Sequence, residues 1–481
     1  MEYIECDVAV IGYGAAGATS AITAYDNGAN VIILEKMPVG GGNSLVSGGN
    51  FVIPKSMEFT QYLNRLSYGT TDVEINHVYV QEALTIGDLI KGLGGELVTY
   101  TPRGVTYPPM VAGASFPNVP GAELMDKYNI KEPATEPASV RLWNILSSNV
   151  EDRGIRILNN TPARELVTNM AGEIIGVTAE QVGKTIQVHA RRAVILTCGG
   201  FENDENLKWD NLPAKPIKFL GSPGNSGDGI RMTEKVGAGM WHMTGLSCLI
   251  GFQAPEYEAA FPIIFLSPGF IFIDKYGRRF INETGVEVHE YWRELSLFDP
   301  DRIEYPRIPF YAIFDEENRL KAPIGIRIGY QRNLYRWSVD NSVEIANGWI
   351  TRADTIDELA NKIAMDGSTL NNTITQYNDS CQAGIDDQFN RSRDNLKAIN
   401  NPPYYAIKLH PALLNTQGGP RRDKESRVLD TYNKPIPRLY AAGELGSIWG
   451  FLYQGGNNLG ECLVFGRIAG RNAAAEKPIS P

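Results

Sequence analysis

The chain has 481 residues, of which 43% are hydrophobic and 21% are charged, as in a globular protein large enough for two or three domains. Its formal net charge of −10 at pH 7 argues against a nucleic-acid partner, because no basic stripe is available to neutralise phosphates. No apolar run reaches the roughly 18 residues of a membrane span. The first strand begins close to Met1, which predicts a cytoplasmic protein without a signal peptide.

Cysteine and histidine positions indicate no metal or cluster site. The five cysteines (Cys6, Cys198, Cys248, Cys381 and Cys462) are far apart without a C-x-x-C pair, and the five histidines show no ligand spacing. The sequence therefore predicts reduced thiols and no bound metal.

The first 36 residues are typical of a strand, a glycine-rich turn, a helix and a second strand. The apolar run Val8–Ile11 precedes Gly12, Gly14 and Gly17, which have G-x-G-x-x-G spacing. In this pattern the first glycine permits a tight turn, the second lets a pyrophosphate approach the backbone, and the third lets the helix pack closely. Glu35 follows about 20 residues later, where a carboxylate accepts ribose hydroxyls. The segment predicts a dinucleotide site, with a glycine-rich loop in an ordinary βαβ unit as the alternative.

The following segments include two candidate binding loops. A glycine-rich run over residues 37–50 follows the second strand, where a cofactor contact is favoured over a plain surface loop. Apolar spacing predicts helical structure over residues 56–96. The stretch 100–125 reads as a loop of the kind that often binds ligands, and it contains Tyr100, Arg103, Tyr107, Pro108, Pro109 and Phe116.

The α/β pattern then continues until it is interrupted. A helix from Ser139 leads into two strands that flank a turn at 170–172, and a buried strand with a Cys-Gly-Gly end spans 193–200. A further helix has Asp228 near its N-terminus. Between residues 245 and 395 the aromatic density rises and the βα rhythm is lost, which predicts an inserted second domain.

Six ordered motifs together resemble the soluble fumarate reductase and 3-ketosteroid dehydrogenase flavoproteins. They are the N-terminal fingerprint, GGNS with SGG (41–49), TCGGF (197–201), GNSGDGI (224–230), YGRRFINE (276–283), and AAGE with GGNNLGECLVFGRIAG (441–470). In that family a capping domain interrupts the FAD domain, and substrate lies between them against the flavin. The resemblance implies an α/β fold with a Rossmann-like FAD-binding domain (1–244 and 396–481) and a smaller α+β capping domain (245–395).

The resemblance also implies which residues bind FAD. The fingerprint and Glu35 would hold the ADP half, the loop around Asn43 and Ser44 would follow the flavin, Glu444 would approach the ribitol, and Asn458 the pyrimidine edge. A helix from Glu461 to Ala475 is expected to follow, with its positive N-terminal end toward a reduced flavin. Membrane-bound relatives attach FAD to a histidine in the loop that corresponds to residues 40–50; none occurs here, so non-covalent FAD is expected. The predicted cofactor-binding residues are Gly12, Gly14, Ala15, Ala16, Gly17, Glu35, Lys36, Gly42, Asn43, Ser44, Ser47, Gly48, Gly49, Ala163, Cys198, Gly199, Gly200, Asn225, Asp228, Gly443, Glu444, Asn457, Asn458 and Leu459.

Three departures from the family pattern concern the substrate. Glu287 stands where the motif R-F-x-N-E-x-x-x-R ends on the proton-donating arginine of fumarate reductases. The family's H-H-T-M-G-G is replaced by residues 414–419 (LNTQGG), and its H-G-A-N-R-L-G-G-N by residues 449–457 (WGFLYQGGN). Because two carboxylates require charge-assisted donors, these losses argue against a C4-dicarboxylate substrate.

The replacements favour a ketone. Tyr453 resembles the tyrosine of ketosteroid dehydrogenases that polarises a substrate carbonyl, and a backbone N–H at Gly455 or Gly456 would assist it. Desaturation next to a ketone also needs a base. Glu287 fits that role if apolar burial raises its pKa, with His289 and Tyr291 as rivals. The other substrate-binding candidates are Tyr107, Asn415, Trp449 and Arg279, although the family motif gives Arg279 a structural role; Arg278, Arg279 or Arg332 could bind a single carboxylate.

The sequence thus predicts a flavin-dependent dehydrogenase or ene-reductase acting on a CH–CH group. Its expected substrate is a 3-ketosteroid or a smaller cyclic ketone, desaturated or reduced at the C–C bond α,β to the carbonyl. No haem, iron–sulfur or second nucleotide motif is evident, so an external electron donor or acceptor is expected. The alternatives are an enoate or fumarate-type reductase acting on an unsaturated carboxylate, and a flavin-bound sensor or structural subunit without catalysis.

Overall fold

The computed structural model describes residues 2–102, 106–107 and 110–479. Arg103, Pro108 and Pro109 of the candidate binding loop lie outside the described residues. The strands are, in chain order, β1 (Glu2–Ile11), β2 (Val31–Leu34), β3 (Phe51–Pro54), β4 (Leu97–Thr99), β5 (Met125–Ile130), β6 (Arg156–Leu158), β7 (Ala163–Thr168), β8 (Ile174–Gln181), β9 (Lys184–Leu196), β10 (Lys218–Phe219), β11 (Met240–Trp241), β12 (Leu246–Phe252), β13 (Phe261–Pro262), β14 (Phe270–Ile273), β15 (Phe310–Asp315), β16 (Ile350–Ala353), β17 (Tyr404–Thr416), β18 (Gly419–Pro420), β19 (Arg427–Leu429) and β20 (Pro435–Ala441).

The helices connect these strands. The α-helices are α1 (Ala15–Asp26), α2 (Gly42–Val46), α3 (Phe59–Ser67), α4 (Val73–Ala83), α5 (Ile86–Gly92), α6 (Ala138–Asp152), α7 (Glu205–Asn211), α8 (Asp228–Lys235), α9 (Tyr291–Leu295), α10 (Glu316–Arg319), α11 (Ser342–Ala346), α12 (Ile356–Lys362), α13 (Gly367–Ala383) and α14 (Asn457–Ala475). Short 3-10 helices span Ala122–Leu124, Tyr330–Asn333 and Arg393–Asn395. None of the helices in the described ranges combines the length and the apolar character needed to cross a membrane.

The first sheet positions the glycine-rich turn. Its strands lie in the order β19-β20-β9-β1-β2-β6, and all of these except β19 run parallel to one another. Val10 pairs with Ile33 on one side and with Ile195 on the other, so the carboxyl ends of β1, β2 and β9 meet at one edge. Ligands of α/β proteins bind at that edge.

Strand β1 is buried on both faces, which explains its uninterrupted apolar run. Val8 and Val10 belong to the core that includes α1 and α14, whereas Ala9 and Ile11 belong to the core on the opposite face. Helices α1 and α14 cross closely because Gly466 and Gly470 face α1. A Cβ on Gly466 would lie 3.0 Å from the carbonyl oxygen of Ala16, and one on Gly470 would lie 2.4 Å from that of Ser20.

A second, mainly antiparallel sheet has the order β13-β12-β17-β15-β14, with β10 and β16 also paired to β17. Its core is aromatic, as the composition of residues 245–395 suggests. Phe265, Phe270, Phe272, Phe310 and Phe314 are fully buried there. The domain limits after 244 and 395 stay a prediction; β12 begins at Leu246, while β10 and β17, outside those limits, also belong to this sheet.

Most predicted elements occur, and two have different bounds. The helical stretch 56–96 is divided into α3, α4 and α5, and Tyr68 ends α3 in a left-handed conformation with φ of 48°. The last helix begins at Asn457, one turn before the predicted Glu461, because Gly456 takes the N-cap position with φ of 94°. This extra turn brings the N-terminus of α14 to the candidate site.

Candidate active site

The turn between β1 and α1 has a shape that requires glycine at two positions. Gly12 has φ of +104°, and a Cβ on it would lie 2.5 Å from the carbonyl oxygen of Thr197. A Cβ on Gly17 would lie 2.0 Å from the carbonyl oxygen of Gly12, whereas one on Gly14 would meet nothing nearer than 3.6 Å. Packing therefore demands Gly12 and Gly17, and Gly14 leaves space for a phosphate to approach the backbone.

Glu35 lies beside this turn, directly after β2, and the backbone holds its carboxylate in place. Oε2 accepts a hydrogen bond from the N–H of Tyr13 at 2.7 Å, and Oε1 accepts one from the N–H of Met37 at 2.8 Å. Burial raises the pKa of Glu35, and these two N–H groups oppose the rise. Because a carboxylate has several acceptor positions, others remain for the hydroxyls of a ribose.

A first cavity opens at this edge of the sheet and encloses about 750 Å³, counted with the open space at its mouth. Lys36 is fixed at its wall by Asp228 Oδ2 at 2.5 Å and by Ser226 Oγ at 2.7 Å. The predicted cofactor-binding residues that line it are Gly12, Gly14, Ala15, Ala16, Glu35, Lys36, Gly42, Asn43, Ser44, Ala163, Cys198, Gly199, Asn225, Asp228 and Glu444.

A second cavity, of about 1050 Å³ on the same basis, continues from the first. Asn43, Ser44, Glu444 and Cys462 line both, so the two form one elongated space. The other predicted residues that line the second cavity are Ser47, Gly48, Gly49, Glu287, His289, Asn415, Tyr453, Gly455, Gly456, Asn458 and Leu459. The fold thus brings the predicted flavin-side and substrate-side residues to one place.

Two buried carboxyl groups meet where the cavities join. Asn43 Nδ2 donates to Glu202 Oε1 at 2.7 Å and to Glu444 Oε2 at 3.0 Å, and Asn225 Nδ2 reaches the same two oxygens at 3.2 and 3.4 Å. Burial raises the pKa of both carboxyl groups, and the proximity of Glu202 raises that of Glu444 further. Two carboxylates this close repel each other, so the ionisation of one disfavours that of the other.

Tyr453 lies against the N-terminus of α14. Its Oη accepts hydrogen bonds from the N–H of Gly456 at 3.1 Å and from the N–H of Asn458 at 3.4 Å. Burial raises the pKa of Tyr453, although these two N–H groups lower it. The phenol therefore stays protonated at neutral pH and presents a hydroxyl hydrogen to the second cavity.

Glu287 and His289 form a pair beside Tyr453. The Nδ1–H of His289 donates to Glu287 Oε1 at 2.9 Å, and its backbone N–H donates to Oε2 at 2.7 Å. The imidazole also contacts the Tyr453 ring edge-on, with centroids 5.1 Å apart. Burial disfavours the Glu287 carboxylate, but His289 and the Ser115 hydroxyl outweigh it and lower the pKa of Glu287. The condition under which Glu287 would act as the base, a pKa raised by apolar burial, is therefore not met.

Two predicted site residues, Tyr291 and Arg279, form their hydrogen bonds and ion pairs with residues outside the two cavities. The hydroxyl of Tyr291 donates to the carbonyl oxygen of Glu283 at 2.6 Å, and the side chain is 1% exposed. The guanidinium of Arg279 forms ion pairs with Glu283 at 3.0 Å and Asp386 at 2.9 Å. Neither lines the first or the second cavity, so the structure does not bring Tyr291 to the acid–base position, and Arg279 stabilises the fold around residue 283.

Two other predicted substrate-binding residues, Tyr107 and Trp449, line neither cavity. Tyr107 donates to Asn395 Oδ1 at 2.9 Å, and Trp449 packs edge-on against Tyr453 with centroids 6.0 Å apart. The predicted cofactor-binding residues that line neither cavity are Gly17, Gly200, Gly443 and Asn457. Gly443 nevertheless approaches α1 closely, since a Cβ on it would lie 2.8 Å from that of Ala16.

Sequence reasoning missed Lys127, Glu202 and Ser115. Lys127 is 6% exposed and lines the second cavity from β5. Glu202 had a usable signal, because it follows the Gly-Gly pair at the carboxyl end of a buried strand. Lys127 and Ser115 had none, since a lysine in a short strand and a serine in a loop are usually exposed.

The donor set fits FAD. Both amide atoms of Asn458 are buried without a hydrogen-bond partner in the described part of the chain, and this residue was assigned to the pyrimidine edge, which offers both donors and acceptors. Glu35 and the Gly14 backbone lie where ribose and pyrophosphate are expected. Within the described ranges, no group of three or more His, Cys, Asp or Glu side chains is placed to hold a metal ion.

Comparisons with known proteins agree with this reading. The sequence family described as FAD binding domain matches residues 7–459. The NADH:acrylate oxidoreductase of Vibrio harveyi is 30% identical over 530 residues, which cover 97% of this chain and 50% of that protein. The 3-oxosteroid 1-dehydrogenase of Mycolicibacterium smegmatis is 27% identical, and the match covers 98% of this chain and 97% of that protein. The chain thus spans half the length of the first relative and nearly all of the second.

A solved structure shares the fold. The 3-ketosteroid Δ1-dehydrogenase of Sterolibacterium denitrificans, in complex with 1,4-androstadiene-3,17-dione, has a TM-score of 0.84 and 24% identity, and the match covers 98% of this chain and 99% of that one. This likeness confirms the predicted α/β architecture. Since the family match extends over most of the sequence, the chain belongs to the FAD binding domain family and is an FAD-dependent oxidoreductase.

Proposed function

We propose that this protein desaturates or reduces the C–C bond α,β to the carbonyl of a cyclic ketone. The observation that carries the proposal is the position of Tyr453. Its oxygen accepts two backbone N–H groups of the α14 N-terminus, so its own hydrogen is left to donate to a substrate carbonyl in the second cavity. A donor held in this way polarises the carbonyl and stabilises the negative charge that develops on its oxygen.

The N-terminus of α14 strengthens this donor. The partial positive charge of a helix N-terminus favours negative charge nearby, and the phenol oxygen of Tyr453 contacts the N–H groups of the N-cap residue and of Asn458. Partial negative charge passed from the substrate oxygen to Tyr453 is therefore stabilised by backbone groups that are already in place.

His289 is the acid–base residue in this proposal, and Glu287 is a positioning residue. The Glu287 carboxylate accepts from Nδ1–H of His289, which makes Nε2 the nitrogen able to take or give a proton. The lowered pKa of Glu287 makes the carboxylate itself a weak base. When bound, FAD accepts the substrate hydride or delivers it.

The relatives support two substrate classes. The steroid dehydrogenase matches along its whole length and has a ketone substrate by name, which supports the proposal. The acrylate oxidoreductase supports the second candidate, reduction of an unsaturated carboxylate. One observation in the site favours that candidate, namely the buried cation Lys127 in the second cavity.

The proposal is tested on the FAD-loaded protein with androst-4-ene-3,17-dione, cyclohexanone, cyclohex-2-en-1-one, acrylate and fumarate. Anaerobic mixing, with phenazine methosulfate as acceptor or reduced methyl viologen as donor, shows which compound is turned over. We expect ketones to react, and Tyr453→Phe to lower their kcat/KM by roughly 100-fold or more.

Tyr432→Phe is the matched control, because Tyr432 is 82% exposed. Turnover of acrylate or fumarate without any ketone would overturn the proposal. Full ketone activity in Tyr453→Phe would remove Tyr453 from carbonyl binding.

A further inference from the structure

We propose that Lys127 binds a carboxylate of the substrate, so that the ketone acted on is a monoanionic keto acid. This inference rests on the proposed function. Tyr453 binds the carbonyl of the substrate in that proposal, and Lys127 would bind the second polar group, the carboxylate. A cyclic body with a carbonyl at one side and a single carboxylate at another is the class of ligand that the second cavity would hold.

The sheet fixes the position of Lys127. It lies within β5, where its backbone pairs with Val52 of β3, and the N–H of Tyr100 donates to its carbonyl oxygen at 2.8 Å. The side chain leaves this sheet into the second cavity and is 6% exposed. A residue held by strand pairing on one side and by a backbone hydrogen bond on the other holds its charge more precisely than a loop residue does.

The Lys127 ammonium is incompletely bonded. Nζ donates to the carbonyl oxygen of Val111 at 3.1 Å, and no second hydrogen bond or ion pair forms with any residue that the structure describes. An ammonium has three N–H donors, and a buried charge without a partner is costly. Burial lowers the pKa of Lys127 to about 8, and the Glu287 charge opposes this fall, so the cation persists at neutral pH.

Glu287 does not form an ion pair with the Lys127 ammonium. Its oxygens accept from the ring and the backbone N–H of His289, with Ser115 as a further partner, and no ion pair joins it to Lys127. A mobile carboxylate brought by a substrate would supply the missing acceptor with a charge-assisted hydrogen bond.

No other cation competes for this role among the described residues. Lys127 is the one lysine or arginine there that lines the second cavity. Two of the arginines that the sequence offered are bound elsewhere: Arg279 pairs with Glu283 and Asp386, and Arg332 donates to Ser139 Oγ at 2.7 Å and to the carbonyl oxygen of Leu45. The third, Arg278, is exposed and does not line the second cavity.

The rest of the cavity limits the ligand to one anion on an apolar body. Met110, Val111, Leu249, Val288 and Ile328 contribute apolar walls. A dicarboxylate would need a second charged donor, which the described lining lacks, and a single lysine provides a point charge suited to one carboxylate.

The test uses the FAD-loaded full chain and compares 4-oxocyclohexanecarboxylate with its methyl ester. Dissociation constants are measured from the change in flavin absorbance and checked by calorimetry. We expect the wild type to prefer the acid, and Lys127→Met to weaken acid binding roughly 10- to 100-fold. The ester should change less than twofold, and Lys127→Arg should keep much of the preference.

Lys131→Met is the matched control, because Lys131 lies one residue past β5 and its side chain is 45% exposed. Equal affinity for acid and ester in the wild type, or an unchanged ratio in Lys127→Met, would overturn the inference while leaving ketone turnover intact. Acrylate binding that depends on Lys127, without turnover of any ketone, would instead overturn the proposed function and keep the carboxylate site.

A measurement without variants covers the case in which Lys127→Met does not fold. As the pH rises through about 8, Lys127 loses its proton and the acid should bind more weakly relative to the ester. Glu287, His289, Glu444 and Tyr453 also line the cavity, and their charges act on the anionic acid more than on the neutral ester, so the inference requires the change in the ratio to be centred near pH 8. A ratio that stays constant from pH 6 to 10 would contradict the inference.

Discussion

His289 is held by Glu287 at two points, the ring Nδ1 and the backbone N–H. This double hydrogen bond fixes both the orientation of the imidazole and its tautomer, since an ionised carboxylate only accepts. The same contacts keep the carboxylate ionised and lower the pKa of Glu287. In the proposed mechanism, His289 moves the proton and Glu287 positions the imidazole.

At the residue scale, substitutions should separate these two roles. We expect His289→Ala to lower kcat by roughly 100- to 10,000-fold and Glu287→Gln by a smaller factor, with KM nearly unchanged in both. Steady-state kinetics on the ketone identified by the panel measures this split. Added imidazole should partly restore His289→Ala but not Tyr453→Phe.

Full activity in His289→Ala would exclude it as the acid–base residue. Rescue of both variants by imidazole would contradict the assignment of separate roles.

At the element scale, two helices aim their N-termini at the ligand space. Helix α1 begins where the fingerprint turn leaves β1, and α14 begins at Asn457 beside Tyr453. Their close crossing at Gly466 and Gly470 fixes the distance between these two ends. Helix N-termini favour negatively charged ligand groups, so under the proposed function one pair of crossed helices would serve both the FAD phosphates and the substrate carbonyl.

Substitution of two fingerprint glycines by alanine should therefore have different effects, one on stability and the other on FAD binding. Gly17→Ala places a Cβ 2.0 Å from the carbonyl oxygen of Gly12, and we expect it to lower the free energy of unfolding of the FAD-free protein by about 3 kcal/mol. Gly14→Ala meets no atom nearer than 3.6 Å, so it should fold normally and weaken FAD binding instead.

Urea unfolding of the FAD-free proteins and FAD titration measure the two effects. Equal loss of stability in both variants would contradict the packing argument, and normal FAD affinity in Gly14→Ala would contradict the approach of phosphate to that residue.

At the scale of the whole molecule, folding buries the carboxyl group of Glu290 beside the second sheet, because α9 packs against β12 and β17. Glu290 precedes α9 and is 5% exposed, and burial raises its pKa to about 7 although Arg293 opposes the rise. A carboxyl group with a raised pKa binds its proton more tightly when folded than when unfolded. Stability therefore falls as the pH rises from about 4.5 to 7, where the folded chain holds the extra proton.

Glu290→Gln should remove this dependence. At pH 8 we expect the variant to exceed the wild type in free energy of unfolding by roughly 3 kcal/mol, and at pH 4.5 by little. Denaturant unfolding at both pH values measures the difference.

Glu294→Gln is the control, because Glu294 lies in α9, the helix that Glu290 precedes, and its side chain is 49% exposed. If the free energies of unfolding of the wild type and of Glu290→Gln changed in parallel with pH, the raised pKa of Glu290 would be contradicted.

Local patterns were enough to predict the strands, the fingerprint turn and FAD, because glycine spacing and apolar periodicity report directly on backbone shape and burial. The family motifs also named Glu287, His289 and Tyr453, which line the second cavity in the structure. They did not predict that the Glu287 pKa is lowered or that α14 starts at Asn457, since both depend on contacts with side chains and turns outside the motif.

The sequence by itself determined the cofactor, because the residues that recognise ADP and the flavin lie in short segments whose conformation is local. Only the tertiary structure decided which side chains share the substrate cavity. Lys127 lies in β5, His289 in the segment before α9, and Tyr453 in the turn before α14. Each is more than 150 residues away from the next along the chain. Strand pairing and helix crossing bring them together, and no periodicity along the chain records such long-range proximity.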